Sequence, residues 1–64
     1  MNTEYRKTLE SSVQLIKEKI QHILGQIDQI SFADTTGIKT LEGLLASQEA
    51  KLKEREAELS TLNA

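Results

Sequence analysis

One imidazole, ten carboxylates and a scatter of hydroxyls are the groups in this 64-residue chain that could do chemistry. His22 could move a proton or ligate a metal. Metal sites draw on several donors at fixed spacing, and the chain has no second histidine and no cysteine. A helical histidine without a spaced partner reads as a surface residue. Paired carboxylates could act as general acid and base. The acidic residues of the second half (Glu42, Glu49, Glu54, Glu56 and Glu58) are instead interleaved with Lys39, Lys51, Lys53 and Arg55, which reads as a solvated helix face. Serines and threonines gather near expected helix ends and the central turn, where capping accounts for them. Gly25, Gly37 and Gly43 are too far apart for a phosphate-cradling loop. The expectation is a non-enzymatic protein with no catalytic residues, no cofactor and no metal.

Composition narrows the partners. Eight Lys plus Arg against ten Asp plus Glu give a formal charge of −2. A nucleic-acid binder usually carries a basic patch or stripe, and none is visible, so no nucleic acid is expected. No apolar run approaches the ~20 residues that span a bilayer, so no membrane association is expected. Met1-Asn2-Thr3-Glu4-Tyr5 lacks the basic region and apolar stretch of a secretory signal. A cytoplasmic or virion-associated location fits. A chain this short is one domain at most, and its core supplies only ~3–5 kcal/mol unless a disulfide, a metal or association adds to it. With the first two excluded by residue type, association with its own copies, with another protein, or both is the expected staple.

The elements follow from apolar spacing. Leu9, Val13, Ile16, Ile20, Ile23, Ile27 and Ile30 step by 4, 3, 4, 3, 4, 3, a heptad stripe with Val13, Ile20 and Ile27 at a and the others at d. Leu15 and Leu24 widen it beyond a narrow seam, as suits a bundle. Isoleucine at both a and d argues against a simple parallel dimer. Asn2 or Thr3 can cap this helix. The second stripe has Ile38, Leu45, Leu52 and Leu59 at a, and Leu41, Gln48, Arg55 and Leu62 at d. Gln48 and Arg55 either face a neighbouring helix, fixing its register, or lie on a segment that frays outward. Between the stripes, Asp34-Thr35-Thr36-Gly37 is a turn signal. Asp34, Thr35, Thr36 and Thr40 could each cap the second helix, and Thr40, followed by Leu41-Glu42, is the favoured one.

Residues 30–44, Ile-Ser-Phe-Ala-Asp-Thr-Thr-Gly-Ile-Lys-Thr-Leu-Glu-Gly-Leu, resemble the middle of small phage head–tail joining proteins of the W type. The resemblance implies a short β-hairpin between helices: Ile30-Ser31-Phe32 as one strand, Asp34-Thr35-Thr36 as the turn, Ile38-Lys39 as the return, and Phe32 turned toward the helices. It also implies a structural virion role, seating on the portal ring before tail attachment, with no catalytic residues. Gly37 stands where that family has a β-branched residue. Ser47-Gln48-Glu49 resembles the start of the Ser-Gln-Glu-Leu-Asp signature of small helical-hairpin aspartyl-phosphate phosphatases, but the chain continues Ala50-Lys51 and lacks the acidic end of that motif.

The expected architecture is therefore all-α: residues 1–64 as one two-helix antiparallel hairpin (helix 3–30, connection 31–39, helix 40–62), with a minimal β-hairpin at the connection, assembling into a bundle or larger oligomer. The expected interface comprises Leu9, Val13, Ile16, Ile20, Ile23, Ile27 and Ile30 on the first helix. On the second it comprises Leu41, Leu45, Gln48, Leu52, Arg55 and Leu59. The expected function is structural assembly through helix–helix packing, with a small adaptor or co-chaperone, and then a phosphatase-like hairpin, as the rival classes.

Overall fold

The 4,3 spacing of the first half winds into α1 (Thr3–Gln29) and that of the second half into α2 (Thr35–Asn63). The computed structural model describes residues 3–63. An expected cap at Asn2 lies outside the described residues, and Thr3 is already helical. The helices lie antiparallel. Tyr5 near the start of α1 donates its hydroxyl hydrogen to the carboxylate of Glu58 near the end of α2, and Lys17 Nζ sits 4.0 Å from Glu56 Oε2. The rod they form measures 51 × 14 × 12 Å. Its length is that of one helix of this size, about 44 Å at 1.5 Å per residue, plus the turn.

Burial follows the stripes. On α1, Leu9, Val13, Ile16 and Ile23 are sealed at 5–8 % exposure, and Ile20, Ile27 and Ile30 are half-buried. On α2 every stripe residue from Ile38 to Leu62, Gln48 and Arg55 included, is half-buried. The helix is continuous past both polar positions, so the second helix does not fray outward there. α2, with its shorter apolar list and with Gln48 and Arg55 on the seam, seals no residue among those described.

The connection departs from the sequence expectation. It is Ile30–Asp34 rather than 31–39, and α2 starts at Thr35 rather than at residue 40. The cap is Asp34, not Thr40: Asp34 Oδ1 accepts from the Gly37 amide at 2.8 Å, the bond from a cap residue to the third helical N–H. Asp34 O accepts the first intrahelical bond, from the Ile38 amide at 3.0 Å. Thr40, already inside the helix, donates its hydroxyl hydrogen to Thr36 O at 3.0 Å. Thr35, Thr36 and Gly37 are poor helix formers. The cap and the need to bring Ile38 onto the seam override that preference.

The same fact removes the β-hairpin. No strand occurs among the described residues, because Thr35-Thr36-Gly37-Ile38-Lys39 is the first turn and a half of α2. Ser31 to Asp34 forms a tight turn instead, with the Asp34 amide donating to Ser31 O at 3.0 Å and the Ala33 amide to Ser31 Oγ at 3.2 Å. Phe32 does not turn toward the helices as the resemblance implied. It projects from the tip and is 97 % exposed. Gly37 leaves room here: a Cβ on it would lie 2.6 Å from the side-chain atoms Asp34 Oδ2 and Ile30 Cδ1, so with any larger residue the capping carboxylate and the end of Ile30 would have to shift.

Candidate interaction surface

The residues expected to meet a partner meet the chain's own other helix. Leu9, Val13, Ile16, Ile20, Ile23, Ile27 and Ile30 of α1 and Leu41, Leu45, Gln48, Leu52, Arg55 and Leu59 of α2 are all buried or half-buried within one chain. The apolar side chains left exposed lie on the flanks and at the tip. Among the described residues the exposed large apolar side chains are Tyr5 at 43 %, Leu15 at 58 %, Leu24 at 42 %, Leu44 at 49 % and Phe32 at 97 %.

The heptad positions sort these into places. Leu24, at e, lies on the flank that also carries Glu10 and Lys17. There the Lys17–Glu56 pair bridges the helices beside a polar groove walled by Glu10, Gln14 and Ser60, with Val13 and Leu59 at its floor. Both partners of that ion pair are about half exposed, where such pairs add ~0–1 kcal/mol. Tyr5, at g, and Leu15, at c, lie on the opposite flank of α1, and Leu44, at g of α2, shares it. This side holds a mainly apolar groove lined by Leu15, Glu18, Lys19, His22, Ile23 and Gln48. His22 is exposed and stands on its wall, a place that its c position allowed but that only the packed partner helix creates.

Gln48 is divided between two roles. It occupies a seam position and also contributes to this groove, whereas its neighbours Ser47 and Glu49 are exposed. Arg55 is half-buried with its guanidinium Nη1 3.8 Å from Glu54 Oε1, so its charge stays at the rim while its stem covers apolar surface.

Phe32 is the feature that spacing did not single out as a surface group. Its exposure follows from the four-residue turn, which has no helix beneath it to receive the ring. Among the described residues no cluster of three or more His, Asp or Glu is placed to hold a metal ion, and no helix is long and apolar enough to cross a membrane. Comparison with protein-family models, curated proteins and solved structures finds no match.

Proposed function

We propose that this chain is a non-enzymatic structural protein that assembles through packing of its helical rod on other protein surfaces, its own copies first. The observation that carries the reading is Phe32, an aromatic ring 97 % exposed at the end of a rod. Burying such a ring contributes about 1.5–3 kcal/mol, and the folded chain offers it no cover. Leu15 and Leu44 on one flank supply further apolar area. The rod shape adds to the surface on offer. The accessible area of 4936 Å² exceeds by about 800 Å² that of a compact monomer of 7.2 kDa. The radius of gyration of 14.9 Å stands against about 11 Å for a compact chain of this length.

The seam itself accounts for the expected heptad residues, so assembly uses the tip and flanks. The resemblance to head–tail joining proteins supplies one setting, seating on the portal ring of a virion before tail attachment. Residues 30–39 are a turn and a helix start here, so in that setting Phe32 and the flanks would make the contacts.

The test is native mass by light scattering on a sizing column, with circular dichroism on the same fraction, for the wild type and for Phe32→Ser and Leu15→Ser/Leu44→Ser. The reading expects a helical dimer or larger ring whose mass falls to that of one chain in the variants, with helicity unchanged. A wild-type monomer that forms a stable one-to-one complex with a second small protein would replace self-assembly by the adaptor reading. Variants that associate as the wild type does would overturn the assignment of the surface.

A further inference from the structure

The seam has a symmetry that the closed hairpin does not need. Counted outward from Asp34, the buried and half-buried stripe positions fall at 4, 7, 11, 14, 18, 21, 25 and 28 residues on α1 (Ile30 back to Arg6) and at the same eight distances on α2 (Ile38 to Leu62). The pattern is its own mirror image about one residue. Any arrangement that sets position 34 − n beside position 34 + n therefore satisfies the seam. A hairpin closed about this residue does so within one chain. Two straightened chains, antiparallel and crossing at residue 34, do so between chains with the same residue pairs.

Nothing covalent forbids the straightened form. Ser31-Phe32-Ala33-Asp34 contains no proline or glycine, and no described residue has a positive φ, so the turn is not locked by a left-handed residue. In a continuous helix the stripe would run Ile30, Asp34, Ile38, two steps of four that keep one face with a local unwinding of the supercoil. Asp34 would then fall on the two-fold axis, in the seam, against Asp34 of the second copy.

We propose that Asp34 is the residue that keeps this chain a closed hairpin, acting on both sides of the balance. In the closed form its carboxylate caps α2 through the Gly37 amide at 2.8 Å, and its carbonyl starts the helix. In the exchanged form the cap disappears, because a continuous helix has no end there, and two carboxylates share one apolar site between four isoleucines, where like charges disfavour each other. The seam contacts cancel between the two forms, so the turn decides. This holds independently of what docks on the tip and flanks.

The chain has no native cysteine, so Thr8→Cys and Thr61→Cys, both at exposed positions, can carry a spin-label pair. The distance within one chain is read after dilution with unlabelled protein. With Asp34 present the labels lie within about 20 Å, roughly two helix diameters; in the exchanged form the intrachain distance becomes about 80 Å, 53 residues at 1.5 Å each. Asp34→Leu, which removes cap and charge, is expected to lose the short intrachain distance and double the mass of the smallest species. Asp34→Ala should do the same at higher protein concentration. Asp34→Lys removes the cap but restores like charges at the axis, and is expected to keep the short distance at reduced thermal stability. The proposal is overturned if Asp34→Leu and Asp34→Ala keep the short intrachain distance while helical. It is equally overturned if Asp34→Lys opens as they do, since the charge at the axis would then play no part.

Discussion

Three helical glycines of this chain should respond to the same substitution in opposite directions. Gly25 and Gly43 both occupy f positions, facing away from the seam, and a Cβ at either meets nothing within 4 Å. Alanine there should gain its helix preference, about 1 kcal/mol per site, with part of the effect arising in the unfolded chain. The two sites sit on opposite outer faces of the rod, so the double variant should gain about 2 kcal/mol by simple addition. For a domain of this size that is a rise in Tm of about 8–16 °C. Gly37→Ala has the same intrinsic gain of about 1 kcal/mol, but its Cβ would arrive 2.6 Å from Asp34 Oδ2 and Ile30 Cδ1. Moving the carboxylate breaks the cap, at about 0.5–2 kcal/mol, and moving Ile30 loosens the first layer of the seam as well. The net expectation is a loss of about 1 kcal/mol. Thermal and urea melts followed by circular dichroism read all four proteins, with unchanged urea slopes marking a pure stability effect. If Gly37→Ala stabilised as much as the other two, the close packing of Ile30 over the cap would be refuted. If Gly25→Ala or Gly43→Ala destabilised, those faces would be covered by a neighbour rather than open to solvent.

Two further substitutions probe the seam. Ile16→Ala, at a site 7 % exposed, should cost about 2–4 kcal/mol, enough to leave a core of this size largely unfolded in a urea melt; a cost below 1 kcal/mol would mean that the seam is not packed there. Gln48→Leu restores an apolar residue to a half-buried d position and should stabilise the hairpin by about 1 kcal/mol, read as a higher urea midpoint. A lower midpoint would assign the amide a hydrogen-bonding role that leucine cannot fill.

Much of this molecule could be read from residue order. The 4,3 steps from Leu9 to Ile30 and from Ile38 to Leu62 specify two helices and the faces they bury, because apolar side chains at that spacing form one stripe whatever the partner. The turn signal Asp34-Thr35-Thr36-Gly37 likewise places the reversal of the chain between the two stripes. The start of α2 was not legible in the same way. Thr35, Thr36 and Gly37 resist helix formation locally, and four residues could serve as the cap. Only the folded chain, with Ile38 half-buried on the seam and the Gly37 amide donating to Asp34 Oδ1, sets the first turn at Thr35 and chooses Asp34 over Thr40. The fate of Phe32 was also undecided by sequence, since a strand would have turned the ring toward the helices and a tight turn throws it into solvent. Above all, spacing names a stripe but not what covers it. The tertiary structure closes α1 on α2 within one chain, because a turn of five residues holds the second stripe beside the first at far higher effective concentration than any separate molecule. That closure assigns the heptad residues to the seam within one chain and leaves the tip and flanks exposed.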